Sequence, residues 1–327
     1  MTNGSSLSGP PTSICHWSFV IGHLTEILAT PRRIFTLALV VMEFAKLHAL
    51  GNDFLVADVS GEEGHKRSLG ALARRICHRH CGVGADGVLF FQPAIGDPAA
   101  DFSTLIFNAD GSKAEMSGNG VRCLAAFLYR GGKSPSGSFR IRTVAGVKVL
   151  TLLGEEGTTY TFESSLGLPI TAPDHIPVRI PSKMDPILDY AVTTGSHTVP
   201  VTITSMGNPH CSTFWPSLDE APIDTLGPLL ENESLFPNRT NVEFIQVLDR
   251  HRIRVRFWER GVGRTLASGT GSCAAAVAAI LNRRADSPVT VETEMGWLLV
   301  RWEPGSEVVL IGPAQFICAG AYVAPES

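Results

Sequence analysis

The stretch Phe107-Asn-Ala-Asp-Gly-Ser-Lys-Ala-Glu-Met-Ser-Gly-Asn-Gly-Val-Arg-Cys123 decides how this chain is read. A β-like run, Asp101 to Phe107, leads into it. A turn is expected at Asn108–Gly111, and Ser117-Gly118-Asn119-Gly120 then opens a run of helix formers from Val121 to Arg130. Serine is a preferred helix N-cap, and the first turn of a helix offers unpaired N–H groups to an anion. The arrangement returns far downstream as Ser268-Gly269-Thr270-Gly271-Ser272-Cys273, which opens the Ala-rich helix Ala274–Arg283. Two Ser-Gly-x-Gly helix starts predict an internal duplication. They also predict one site between two halves, with both helix N-termini directed at a shared anionic ligand.

Composition sets the class. At 327 residues, 44% hydrophobic and 18% charged, the chain reads as an ordinary globular protein able to bury a large core. A formal net charge of −4 gives no electrostatic reason to expect nucleic acid or an anionic membrane as partner. The seven cysteines are odd in number and unclustered. Cys77 and Cys81 with His78 and His80 between them match no usual zinc spacing, so free thiols in a reducing cytoplasm are the preferred reading and no metal is expected. Arg32-Arg33 before the apolar run Ile34–Val41 resembles an export segment. The run lacks a small-x-small cleavage site and is too short to span a bilayer as a helix. Residues 1–41 are therefore expected to be an upstream extension without a fold, with Met42 as the true start.

From Met42 the pattern alternates strands and single helices. Strands are expected at Glu43–Leu50, Asp53–Val59 and Val88–Phe91, with a helix over Ser68–His80, where Leu69, Leu72, Ala73 and Ile76 share one face. Cys81–Gly87 is Gly-rich but carries no Lys-Ser/Thr, so a tight turn is preferred to a nucleotide loop. Strands follow at Ser138–Val144, Val147–Leu153 and Thr158–Glu163. The Pro-rich Leu166–Pro186 reads as the link between halves. The second half offers Ile187–Thr193, Thr198–Thr204, a short helix near Thr225–Glu231 and the hairpin Val242–Leu248 with Ile253–Trp258. After its Ser-Gly helix come Val289–Thr293, Trp297–Trp302 and Val308–Ile311. Ala274–Leu281 is apolar nearly all round and must be enclosed on several sides. The expected fold is α/β (α+β): two pseudo-symmetric halves, residues 42–165 and 166–312, each a curved, mainly antiparallel sheet or barrel wrapped around a central helix.

Polar residues gather at expected strand ends and loops: Asn52, Asn108, Asn119, Asn208, His210, Asn241, Glu259 and Arg260. Any one Asn is more simply a turn residue. Five of them beside Gly or Pro, near two helix N-termini, make a binding site competitive. Amides hold carboxylate and ammonium groups without adding charge, and an Arg grips a carboxylate through two bonds.

In this order, Lys46-Leu-His-Ala-Leu-Gly-Asn-Asp-Phe54, Gly82-Val-Gly-Ala-Asp-Gly87, Phe107-Asn-Ala-Asp-Gly111, Met116-Ser-Gly-Asn-Gly120, Met206-Gly-Asn-Pro-His210, Glu259-Arg-Gly261 and Ala267-Ser-Gly-Thr-Gly271 resemble the diaminopimelate epimerase family. The resemblance runs from Met42 nearly to the C-terminus. It implies interconversion of LL- and meso-diaminopimelate without pyridoxal phosphate or metal, in lysine and peptidoglycan precursor biosynthesis, by a cytoplasmic homodimer. It implies no cofactor, and it implies that a final strand near 313–323 returns to the first half. It further implies substrate binding by Asn52, Asn108, Asn119, Asn208, Asn241 and Arg260. Backbone donors come from Gly118, Gly269 and Thr270, with assistance by His210 and Glu259 at the α-amino group.

The family mechanism uses two thiols on opposite faces of the α-carbon, and here both positions hold serine, Ser117 and Ser268. A hydroxyl ionises far less readily than a thiol and needs another group to activate it. Cys123 and Cys273 lie further along their helices, roughly 7–9 Å from the capping position, and cannot substitute. Three readings stay open: an epimerase working slowly or through serine, a related Ser-type lyase or isomerase, and a non-catalytic homologue that binds diaminopimelate.

Overall fold

Each strand pairing of the first half recurs in the second, in the same order and the same sense. The computed structural model describes residues 40–61, 68–180 and 184–324. The first half runs β1 (Val40–Ala49), β2 (Asn52–Asp58), α1 (Leu69–Ile76), β3 (Gly87–Pro93), β4 (Phe102–Asn108), β5 (Lys113–Ala114), α2 (Gly118–Arg130), β6 (Ser138–Thr143), β7 (Gly146–Glu156) and β8 (Thr159–Ser165). β1 pairs antiparallel with β2, β2 parallel with β3 across α1, and β3 antiparallel with β4. β4 then pairs antiparallel with β5 and parallel with β6 across α2, and β6, β7 and β8 form an antiparallel meander.

The second half opens with the hairpin of β9 (Tyr190–Thr194) and β10 (His197–Ser205). It continues through β11 (Pro209–Phe214), α3 (Ile223–Glu231), β12 (Asn241–Asp249), β13 (Arg252–Glu259), β14 (Gly263–Thr265), α4 (Gly269–Leu281), β15 (Val289–Thr293), β16 (Gly296–Arg301) and β17 (Val309–Ala324). From β10 onward the senses match those from β1, including parallel pairs across α3 and across α4.

The halves exchange their closing segments. Val309–Gln315 of β17 runs antiparallel to β8, and β17 also pairs with β1, which closes the first barrel. The segment leaving β8 closes the second. Leu166 N–H donates to Val308 O at 2.9 Å, and Ile170 bridges Ser205. The Pro-rich stretch therefore begins as part of the second barrel.

Each barrel is filled by its helix. From Cys273 to Ala279, α4 has no solvent exposure at any residue. It packs against Ile253, Val255, Phe257, Val289 and Leu298. The run of alanines follows from the space available, since a barrel of about eight strands leaves a narrow interior. Around α2, Val121, Leu124 and Leu128 meet Leu47, Phe54, Leu89, Phe139 and Phe162. A third cluster joins α3 to the outer face of the second sheet through Leu226, Leu230, Val201, Ile203 and Phe244.

Several expectations shift. β1 begins at Val40, two residues before Met42, and the rest of the expected extension, residues 1–39, lies outside the described residues. α1 stops at Ile76 rather than His80, because His78 Nδ1 accepts from the N–H groups of His80 and Cys81 at 3.2 and 3.1 Å and turns the chain. β9 starts at Tyr190 rather than Ile187. β11 was not expected as a strand; Pro209 to Thr213 are buried on both faces, so the alternation that reveals a half-exposed strand is missing. The Gly-rich loop is a turn: Gly84 has φ +78°, and the N–H groups of Val83 and Gly84 both donate to Ile76 O.

Gly82 leaves no room for a side chain, since a Cβ there would stand 2.3 Å from Arg75 O and 2.5 Å from Ile76 O. Gly82→Ala should lose about 2–3 kcal/mol by forcing backbone apart, and lower the melting temperature by several degrees. Gly154→Ala, which meets nothing within 4 Å, should change it little. Calorimetric melting of both variants checks this.

Candidate active site

The two capping serines adopt one geometry. Ser117 has φ −139° and ψ 117°, and its Oγ accepts from Gly120 N at 3.0 Å. Ser268 has φ −137° and ψ 128°, and its Oγ accepts from Gly271 N at 3.3 Å. Extended backbone at the cap with the side chain folded onto the first turn is the arrangement that satisfies a free N–H. Each helix thereby starts at a barrel mouth, with its positive end toward the loops.

The mouths meet. A Cβ placed on Gly269 would lie 3.9 Å from Asn119 Oδ1 and 3.7 Å from Leu310. The first turn of α2 thus lies against the first turn of α4. Around this contact the turns interlock, with Met295 of the β15–β16 turn packed on Gly51 and Leu50 packed on Gly296.

On the first barrel's rim the polar residues form a directed chain. Arg122 Nη2 donates to Asn119 Oδ1 at 2.5 Å, Asn119 Nδ2 to Asn52 Oδ1 at 3.3 Å, and Asn52 Nδ2 to Asp86 Oδ2 at 2.9 Å. Arginine only donates and an ionised carboxylate only accepts, so both amide orientations are determined. Asp86 is fixed by Arg79 and by the N–H of Asp53. Asp53 in turn carries Lys46 and Arg79, each at 2.9 Å. Burial pushes the Asp53 carboxyl up, but its hydrogen bonds and opposite charges outweigh that and hold it below the usual range. Asn108 ends β4 opposite Gly87, beside Asp86, and donates to Ser112 Oγ at 3.0 Å. It is exposed.

The second rim is its counterpart. His210 is wholly buried; its Nδ1 lies 2.6 Å from Glu243 Oε1 and its Nε2 3.0 Å from Asn208 Oδ1. Asn241 pairs with His210 in the ladder and spans two strands, donating to Pro209 O and accepting from Arg260 N–H, each at 3.0 Å. The Arg260 guanidinium rests on Asn238 O at 3.2 Å. Glu259 accepts from Thr265 Oγ1 at 2.8 Å, and the Ser268 hydroxyl is near enough to help hold its carboxyl down. Burial pushes its carboxyl up, and those hydroxyls oppose the shift without cancelling it. Gly118, Gly269 and Thr270 stand half-buried on the two first turns.

The sites are equivalent by position. Asn52 corresponds to Asn208, Asn108 to Glu259, Ser117 to Ser268 and Asn119 to Thr270. All thirteen residues named from the sequence fall on the two rims. The surroundings differ between them: the Glu259 carboxyl stands near the Ser268 hydroxyl, whereas Ser117 has only the Gly120 N–H as hydrogen-bond partner among the described residues. Cys123 and Cys273 are buried deeper along the helices, and burial pushes both thiols up to about 12. They are inert packing groups.

Comparison with known proteins follows the same course. The family description "Diaminopimelate epimerase" matches residues 44–166 and 202–317. The chain belongs to the diaminopimelate epimerase family. It is 44% identical over 281 residues to a diaminopimelate epimerase of Pelotomaculum thermopropionicum, covering 86% of this chain and 99% of that protein. It is 41% identical over 282 residues to one of Moorella thermoacetica, with 86% and 99% covered. Among solved structures it resembles a hydroxyproline epimerase from Agrobacterium vitis, with TM-score 0.61 and 14% identity over 88% of this chain and 93% of that one. A PhzF-family phenazine biosynthesis protein from Bacillus anthracis gives TM-score 0.59 and 17% identity, with 86% and 99% covered. These two show the shared fold. The chain is an enzyme of the isomerase class.

Sequence reasoning missed Arg122, Asp86 and Glu243. Asp86 was inside a quoted motif. Glu243 lies two residues beyond Asn241 on β12, so strand alternation alone puts both on one face. Beside two surface hollows the arginines are paired: Arg264 with Glu294 at 2.9 Å and Arg140 with Asp101 at 2.7 Å. Cys77 and Cys81 gather no metal set, and no group of three metal-binding side chains occurs among the described residues. No helix among them is long and apolar enough to cross a membrane.

Glu259 binds its proton more tightly folded than unfolded. Its contribution to stability is whole below the ordinary glutamate range and is lost as pH rises through the raised folded value. Glu259→Gln removes this loss. Melting temperatures from about pH 4 to about pH 8 should show the variant gaining on the parent as pH rises.

Proposed function

We propose that the chain interconverts LL- and meso-2,6-diaminopimelate at one α-carbon, slowly and through serine, without pyridoxal phosphate or metal. The observation that carries this reading is the meeting of two Ser-capped helix N-termini at the Asn119–Gly269 contact, with an amide-lined rim on either side. A carboxylate held there receives backbone N–H groups from two helices whose dipoles both favour negative charge. The same donors stabilise the carbanion, whose charge spreads onto that carboxylate as the α-proton leaves.

Proton transfer is uneven between the two faces. On the Ser268 face, the α-proton passes to Ser268 Oγ while the serine's own proton passes to Glu259. Burial raises Glu259's basicity, which helps it serve in this role. On the opposite face Ser117 returns a proton, drawn from solvent and unaided by a carboxylate, and this half-reaction limits the rate. Asn52, Asn108, Asn119, Asn208 and Asn241 bind the substrate, Arg260 takes the distal carboxylate, and His210, set by Glu243, assists at the α-amino group. As in the resemblance drawn from sequence, the reading includes a cytoplasmic homodimer acting in lysine and peptidoglycan precursor synthesis.

Incubating LL-diaminopimelate in deuterium oxide tests the reading. Deuterium should enter the α-position and meso product should accumulate slowly. Absence of both exchange and epimerisation, with binding intact by calorimetry, would instead favour a non-catalytic homologue. Ser117→Cys with Ser268→Cys should raise the rate by about 10²-fold or more, because a thiol lowers the base's pKa by several units. A double variant no faster than the parent would argue that the cleft is not tuned for two-thiol chemistry.

A further inference from the structure

Arg122 is the largest side chain with no exposure, and it has no carboxylate partner among the described residues. Its polar contacts are Asn119 Oδ1 at 2.5 Å and, through Nε, Pro313 O at 3.4 Å. Nη1 has no hydrogen-bond partner among the described residues. Its titratable neighbours are the thiols of Cys123 and Cys273, which burial keeps protonated at neutral pH, so they supply no compensating charge. Burial lowers the guanidinium's own value only to about 10, so it stays charged.

Its position in the duplication is informative. Counting from the capping serines, Arg122 on α2 corresponds to Cys273 on α4. The second half supplies a small thiol in its place.

An unpaired buried charge costs several kcal/mol unless something compensates it. The group it touches is Asn119, on the turn where both helix N-termini meet. We propose that Arg122 is an electrostatic positioning residue, an unpaired cation beneath the α2–α4 junction whose counter-charge arrives with the carboxylate of the bound ligand. This rests on the reading of the cleft as an amino-acid carboxylate site. Arg122 does not touch the substrate; it acts by orienting the Asn119 amide and by leaving the empty cleft short of one negative charge.

The test uses the full chain, calorimetric titration with meso-diaminopimelate, and ligand-free melting. Arg122→Met keeps the bulk and removes the charge, while Arg122→Lys keeps the charge and removes the fork. Arg122→Met should melt no lower than the parent yet bind at least about tenfold more weakly, whereas Arg122→Lys should stay within about threefold. Binding by Arg122→Met within threefold of the parent overturns the proposal. So does an equal loss in both variants, which would make the role one of packing. Should Arg122→Met not fold, Arg122→Gln is judged by the same affinity criteria. Should the parent itself bind no diaminopimelate, the functional reading falls separately. Arg122 is then decided by ligand-free melting of the uncharged variant: no decrease upholds an uncompensated charge, and a decrease overturns it.

Discussion

A helix with no polar face can reach water only through its ends. From Cys273 to Ala279 that condition holds for α4 without interruption. α2 is buried from Asn119 to Ala126, with Arg122 its one charged residue in that run, and reaches solvent again at Tyr129 and Arg130. Each helix therefore needs a sheet curled fully around it, and each sheet leaves its helix open at a mouth. The N-terminal turn, with its free N–H groups, is the part of the helix that stands there. The location of the site follows from enclosing the helices.

Putting the mouths together concentrates what each lacks. One helix terminus carries about half a positive charge, spread over a few N–H groups. Two such termini in contact, with Arg122 below them, make a region of strong positive potential with few ionised acids within it. The acids present sit behind others: Asp86 behind Asn52, Glu243 behind His210, Asp53 behind Lys46 and Arg79. Asn52 and Asn119 each hydrogen-bond a charged group, which fixes their amides' donor direction.

The duplication is close in topology and loose in chemistry. Pairing senses match strand for strand, yet Thr270 stands in the second half where the first has Asn119, Cys273 where it has Arg122, and Glu259 where it has Asn108. The exchange of closing segments, β17 into the first barrel and the run after Ser165 into the second, ties the halves through backbone hydrogen bonds. Movement of one mouth against the other must strain those ladders.

Much was legible in the chain itself. The paired Ser-Gly-x-Gly starts gave the caps and the repeat, because capping is a local exchange between a side chain and the N–H three residues on. Half-exposed strands such as β8 and β13 were legible through alternation, and the rim residues through their place at strand ends. β11 was not legible, since a strand buried on both faces carries no period. Nor was the state of Arg122. Sequence shows a basic residue on a helix, and the ordinary expectation is a solvated or salt-bridged one. Only the fold encloses that guanidinium, beside Pro313 of β17 and Cys273 of α4, and only the fold brings Glu259 near Ser268 and Glu243 to His210. Local hydrogen bonding wrote the repeat into the sequence, whereas burial and long-range charge pairing belong to the assembled fold.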